Sequence, residues 1–433
     1  MEPHWLTVIN QLRQTAATVL GLPANYWRLW SSSAVSNLAD GVFVIVLPLL
    51  AVRLTDSPLL IAGVAIASRL PWLLFVLVAG ALADRLDRRV TMRNVQVFRA
   101  AMFAALTVLA AADLLSLPVL YLAALALGVA ETLFDTAAQS ILPSIVDKDR
   151  LATANGRLYG VELVMNQFVG PPLGGIVIGL SVPLALGGSA VGYGLAAIGL
   201  TLILGSFRPQ RSGPPTRLTA DIAEGLRYLW GHRVLRTLAF MVGGANMAAT
   251  ATQSILVLYA VRPGPMDLSE PGFGLLLVTF AVGSLVGSLV AAPLERRFGR
   301  VPVLFASILV TAVAFAAPAF TANAFVIGSV FVLSGLFIVV WNVITVTLRQ
   351  RIVPDQLLGR VNAGYRLFAW GTQPIGALLG GVIGELLGLR AVFLFGGALG
   401  LLLLLGRFVI DEPALAKAEA DGEAAAAAAA TAR

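Results

Sequence analysis

The sequence predicts an all-α polytopic membrane protein: twelve transmembrane helices in two six-helix bundles related by pseudo-two-fold symmetry. Three observations predict it. The first is apolarity. Of 433 residues, 58% are hydrophobic, and the mean hydropathy is +0.87; soluble domains run at ~45–50% apolar. The second is where charge falls. The ten residues from Gly80 to Arg89 hold five charges in a chain only 12% charged, with apolar runs of spanning length on both sides. A charge at the centre of the hydrocarbon costs ~3 kcal/mol or more, so this knot must be a short aqueous turn. The third is repetition. Asp84-Arg85 and Arg89-Val90 return as Glu295-Arg296 and Arg300-Val301, and Ile145 to Asn155 returns as Ile352 to Asn362. Repeats of six spans each insert in the same orientation and are related by an axis along the membrane normal.

A spanning helix needs about 20 predominantly apolar residues. In order, the first bundle reads Trp27–Leu54, Leu59–Leu82, Met92–Ala112, Pro118–Leu142, Ala154–Leu180 and Pro183–Phe207. The second reads Thr237–Val261, Gly272–Leu294, Val301–Phe320, Phe325–Leu348, Val361–Leu387 and Ala391–Ile410. The domain boundaries are thus an N-terminal segment 1–26, bundles 27–207 and 237–410, a linker 208–236, and a tail 411–433. Residues 208–215 are rich in Pro, Gly, Ser and Arg and should be irregular. From Leu218, apolar residues at Ile222, Leu226 and Leu229 keep helical spacing, which predicts a helix lying on the membrane surface. The Ala/Glu tail from Ala414 is expected to be frayed and without function.

Arginines decide orientation. Arg85, Arg88 and Arg89, then Lys148 and Arg150, then Arg208 to Arg236, fall in alternate loops, whereas the intervening loops carry Arg53, Arg262 and Arg390. The positive-inside bias therefore puts both termini in the cytoplasm of a cell whose plasma (inner) membrane holds the chain. The same placement explains the net charge of +7 without nucleic acid. Residues 1 to 27 lack a basic-then-apolar run with a small-residue cleavage site, so no signal peptide is expected. There is no cysteine, and the only histidines, His4 and His232, lie outside the apolar runs. No metal and no cofactor is expected, and the chain is read as a monomer in the lipid bilayer.

Polar residues inside the membrane are expensive and mark inward faces. Span one carries Asp40 near mid-depth, with Phe43 on its face; span two carries Arg69 and Trp72. Span four has Glu131, Asp135 and Gln139 at i,i+4 spacing, and span five has Glu162 and Asn166. In the second bundle, Asn246, Thr250 and Gln253 share a stripe on span seven. Span ten adds Trp341 and Asn342, and span eleven adds Arg366, Trp370 and Gln373. Spans six, nine and twelve look like lipid-facing helices. These stripes are expected to line a water-accessible cavity. Asp40, Glu131, Arg69 and Glu162 are the candidates for proton coupling, since a carboxylate at mid-depth can exchange a proton as its access to water alternates. Asp40, Glu131 and Arg69 also have a plainer reading as structural pairs: Asp40 with Asn37, Glu131 with Arg69 or Arg99. Phe43, Trp72, Asn166, Asn246, Thr250, Gln253, Trp341, Asn342, Trp370 and Gln373 are the candidates for a substrate wall, or for interhelical packing.

Certain runs carry a family resemblance. The turn Gly-x-x-x-Asp84-Arg85-x-x-Arg88-Arg89, the Gly170-Pro171-Pro172-Leu173-Gly174-Gly175 of span five and the six-plus-six arrangement resemble the major facilitator superfamily. Asn37-Leu-Ala-Asp40-Gly41, Glu131 to Asp135, Leu142-Pro143 and Ala154-Asn155-Gly156 resemble its twelve-helix drug:proton antiporter branch, which includes macrolide and siderophore exporters. The resemblance implies a secondary-active transporter and not an enzyme, exporting a hydrophobic or amphipathic small molecule in exchange for protons. A proton-coupled uptake symporter is the alternative within transport; a receptor or membrane enzyme is the alternative outside it. The resemblance also implies that Asp84, Arg85, Arg88 and Arg89 form a latch between the halves, with Asp135 as partner. It further implies that the Gly170, Pro171, Gly174, Gly175 run goes with export by sealing span five against span eight, where Gly283 and Gly287 offer small-xxx-small spacing. Two departures stand out. Asp87 replaces the usual Gly of the turn, and span four has Glu131 in place of the family's arginine motif.

Overall fold

Helix follows helix along the chain because nearly every apolar run is long enough to cross a membrane, where only intra-segment hydrogen bonds satisfy the backbone. The computed structural model describes residues 21–75, 86–147, 150–205, 207 and 218–431. The first bundle comprises α1 (Ala24–Leu54), α2 (Pro58–Leu74), α3 (Arg88–Ala111), α4 (Leu117–Ile141), a broken fifth span and α7 (Val182–Thr201). That fifth span is α5 (Leu151–Glu162), a π-helical stretch Leu163–Val169, and α6 (Gly170–Leu180). Pro171 and Pro172 lack the N–H donors that would continue the α ladder, and the turn before them widens. After the linker helix α8 (Leu218–Gly231) come α9 (Arg233–Ala260), α10 (Glu270–Phe298), α11 (Arg300–Phe320), α12 (Ala324–Ile352), α13 (Asp355–Leu387) and α14 (Leu389–Leu403). A last helix, α15, covers Glu412–Thr431.

Among the described residues, ten helices are long and apolar enough to cross a membrane. The shorter α2 and the more polar α9 hold the two remaining places in the order of twelve. Starts are chemically marked: Ser57, Ser181 and Ser269 accept from Leu60, Leu184 and Gly272 backbone N–H groups, with Pro in the first turn each time.

Both bundles use the same pairings. First packs on fifth and sixth (α1 on α6 and α7), second on fourth (α2 on α4) and third on sixth (α3 on α7). In the second bundle α9 packs on α13 and α14, α10 on α12, and α11 on α14. The bundles meet along two symmetry-related seams, α2 with α13 and α6 with α10. Two polar contacts cross these seams at the end away from the arginine-rich loops. There Arg53 Nη2 donates to Glu270 Oε1 at 2.9 Å, and Ser57 Oγ donates to Glu385 Oε2 at 2.6 Å.

Two expectations need correction. The tail is not frayed along its first turns: α15 buries Leu415 and Ala418, and Arg300 Nη1 donates to Glu419 Oε1 at 2.5 Å. Composition suggests disorder, but one apolar edge on a helix suffices where a docking surface exists. Nor do Gly283 and Gly287 serve the seam with the fifth span. They approach the backbone of Val332 and Leu336 on α12 instead, and Gly274 faces Pro171 and Pro172. The linker carries a helix, α8. It is tied to the second bundle through Arg360 Nη1, which donates to Glu224 Oε2 at 2.6 Å.

Candidate functional site: a charged cluster inside the first bundle

The centre of the first bundle is built from helices that bring polar side chains together from far apart in sequence. Asp40 sits in the middle of α1 and points into the bundle, not toward lipid. Its Oδ1 accepts from Arg99 Nη1 of α3 at 3.2 Å and from the Tyr193 hydroxyl of α7 at 2.7 Å. Arg99 is 3% exposed and Tyr193 1%, whereas the Asp40 side chain keeps 29% of its surface open. Both protein partners hold the same oxygen, so among the described residues Oδ2 takes no bond. One turn away a second rung repeats the link: Gln96 Nε2 of α3 donates to Ser36 Oγ of α1 at 2.7 Å. Burial of this arginine is tolerated only because its charge is compensated, and removing one member of such a pair costs ~3–5 kcal/mol.

Aromatic rings wall the cluster. The Arg99 guanidinium carbon lies 5.5 Å from the centroids of both the Phe134 and Tyr193 rings, a cation–π sandwich. Phe43, expected to face a substrate, packs edge-on against Phe103 at 4.9 Å, and Phe103 in turn lies 5.2 Å from Tyr193. Span six is therefore not purely lipid-facing: Tyr193 is turned inward. Glu131 and Asp135 flank Phe134 on α4 and lie in electrostatic contact with Arg99. Glu162 of α5 interacts with Asp40, and Arg69 with Glu131. Three carboxylates, Asp40, Glu131 and Asp135, thus act on one buried guanidinium, and Glu162 acts on Asp40. The sequence places the acids, but its pattern offers Arg99 only as a partner for Glu131 and gives no sign of Tyr193. Arg99 interrupts an apolar run on span three, and that interruption is the available signal.

The other candidates divide. Asp84 and Arg85 lie outside the described residues. Arg88 Nη1 donates to Ser144 Oγ at 3.3 Å, and Arg89 Nη1 to the Ile203 carbonyl at 2.5 Å. Neither reaches Asp135, which belongs to the central cluster. Asp87, the departure in the turn, caps α3 by accepting from Val90 N at 3.2 Å and also accepts from Phe207 N at 2.9 Å. Trp72 and Trp370 meet edge-on across the α2–α13 seam with centroids 4.8 Å apart. Trp341, 9% exposed, belongs to the core of the second bundle. Asn246 Nδ2 donates to the Ala369 carbonyl at 2.7 Å, a bond between α9 and α13, and Thr250 bonds back to the Asn246 carbonyl. Asn166 lies where its backbone meets Gly41, Gln373 is half-buried, and Gln253 and Asn342 are exposed. Gly170 and Gly174 let the fifth span approach α1 at Gly41 and Val42, while Pro171 and Gly175 face α10 at Gly274 and Glu270. One short run thus serves two close contacts.

Comparison with known proteins shows the family and the fold. Residues 23–431 match the family described as transmembrane secretion effector. The multidrug efflux pump Tap of Mycolicibacterium fortuitum is 29% identical over 89% of this chain and 94% of its own length. Tap of Mycobacterium tuberculosis H37Rv is 30% identical over 82% of this chain and 86% of its own. The enterobactin exporter EntS of Salmonella typhimurium is 27% identical over 72% of this chain and 74% of its own. Among solved structures, a point mutant of the nucleoside transporter NupG superposes with a TM-score of 0.73 at 13% identity, covering 89% of this chain and 99% of that one. A bacterial homologue of the iron transporter ferroportin, inward-facing, gives 0.69 at 16% identity over 91% of this chain and 98% of that one. These two show the fold alone. The chain is a multi-pass membrane transporter, not an enzyme, and belongs to the transmembrane secretion effector family of the major facilitator superfamily.

Proposed function

We propose that this protein exports a hydrophobic or amphipathic small molecule by alternating access, driven by protons entering as cargo leaves. One observation carries the coupling site: a mid-depth carboxylate, Asp40, whose Oδ1 is anchored by Arg99 and Tyr193 while, among the described residues, Oδ2 takes no bond. Anchoring one oxygen fixes the acid in place, and the open oxygen is the one that can take up a proton. When the two bundles rock about their seams, water reaches the cluster from one side and then the other, so uptake and release face different compartments. Relatives named as drug and siderophore exporters support efflux as the direction. The basic loops support a plasma-membrane orientation with both termini in the cytoplasm, and the lipid bilayer, protons and the exported small molecule are the only partners this reading requires of a monomer. Glu131, Arg69 and Glu162 tune the charge around Asp40. The Trp72–Trp370 pair lies at the seam that must part for cargo to pass.

The test is transport in inverted membrane vesicles carrying an imposed pH gradient, with ethidium as fluorescent probe. Asp40→Asn should abolish gradient-driven movement at normal expression level. Undiminished movement would end the assignment of Asp40.

A further inference from the structure

Arg99 has more acids within reach than it can compensate at once. Its guanidinium carbon lies 5.5 Å from the centroids of both the Phe134 and Tyr193 rings, which supply no full counter-charge, so its neutralisation rests on the acids. Asp40 on α1 is the partner taken, at 3.2 Å. On α4, Glu131 stands three residues before Phe134 and Asp135 one after it. Both are in electrostatic contact with Arg99, yet among the described residues neither makes an ion pair or side-chain hydrogen bond. Tyr193 on α7 and Glu162 on the fifth span complete the titratable groups facing Asp40.

A buried guanidinium stripped of its counter-charge is strongly destabilised. If Asp40 becomes neutral, Arg99 must find another carboxylate, and two wait on α4. We propose that Arg99 is a positioning residue that changes partners: when a proton binds Asp40 Oδ2, Arg99 leaves α1 and pairs with Glu131 and Asp135 on α4. Loss of the proton reverses the move. The charge state of the first span is thereby passed to the fourth, which packs against α2 at the seam with the second bundle. This inference rests on the reading of Asp40 as the exchange site, and it assigns the means by which protonation becomes movement.

The test compares the thermal stability of the purified full-length protein in two backgrounds. Asp40→Asn mimics the protonated acid. In that background, removing both α4 acids (Glu131→Gln with Asp135→Asn) should lower the melting temperature by about 2–4 °C more than the same change lowers it in the wild type. With Arg99→Gln added, that excess should vanish, which attributes it to the arginine. If Arg99→Gln does not fold, Arg99→Lys replaces it, and a shortened, non-planar cation should reduce the excess. An equal effect of the α4 changes in both backgrounds would overturn the partner exchange and leave Arg99 as a fixed partner of Asp40. That outcome is distinct from failure of the coupling reading itself, which the Asp40→Asn transport assay detects without reference to α4.

Discussion

The two bundles share their helix pairings and differ in what those helices carry. In the first, α1, α3, α4, α5 and α7 converge on Asp40, Arg99, Glu131, Asp135, Glu162 and Tyr193. At the repeat positions of Glu131 and Asp135 the second bundle has Ile338 and Asn342, and its link between first and fifth spans is the neutral Asn246–Ala369 bond. Its arginines are handled differently as well: Arg349 lies over the Tyr365 ring at 3.7 Å and Arg366 over Trp370 at 5.6 Å. The arginine-rich turns diverge in the same way. Asp87 caps α3 from within the turn. In the repeat, Gly299 offers α11 no side chain, and Glu412 of the tail accepts from Val301 N at 3.1 Å instead. Both halves keep the scaffold, and the cluster of carboxylates around a buried arginine stands in the first.

This contrast can be broken experimentally. The largest effect is expected from Arg99→Ala, which leaves the half-buried Asp40 without its counter-charge and should cost ~3–5 kcal/mol; Asn246→Ala, at the neutral α9–α13 link, should cost only ~1 kcal/mol. Denaturant melts of the two variants check the ranking, and equal losses would erase the distinction between the halves. Next is the seam. A side chain at Gly175 meets the backbone of Glu270, so Gly175→Val should cost ~1–3 kcal/mol and increase labelling of a cysteine placed at the α6–α10 contact.

Glu412→Ala should leave α11 uncapped and cost ~0.5–2 kcal/mol, matching Asp87→Ala in the other half. Hydrogen exchange at the starts of α3 and α11 would show whether each cap serves its own helix alone. Smaller still is Glu270→Gln. Arg53 and Glu270 side chains are 41% and 28% exposed, so solvent screening reduces the stability effect to ~0.2–1 kcal/mol, visible mainly as faster labelling from that end.

The smallest effect concerns His232, which lies outside the spans. Its ring accepts from Leu235 N at 3.4 Å as the cap of α9. Burial lowers its pKa from the ordinary 6.5, partly opposed by the carboxylate of Asp421. The unfolded chain therefore takes up the proton first, and stability present above pH 6.5 declines as the pH falls below it. Melts at pH 8 and pH 5.5 should show a loss in wild type that His232→Gln lacks.

Much of this is legible in the residues because a bilayer imposes one rule on every segment. Runs of about 20 apolar residues must be helices, charged knots must be turns, and repeated knots must be repeated halves. Asp40 and the acids of span four stand out because charge is rare there. What the pattern does not say is which polar groups touch. Arg99 meets Asp40 across 59 positions and Tyr193 meets it across 153, and no local periodicity encodes such distances. Gly283 and Gly287 illustrate the same limit, since small residues at one spacing suit any neighbour, and packing gave them α12. The Ala-rich tail illustrates it again, because docking depends on the surface waiting for it. Sequence alone thus determined the helical class and the inward placing of charge, through the cost of polar groups in lipid. Tertiary structure decided the partners, because a buried charge is defined by whatever distant group neutralises it.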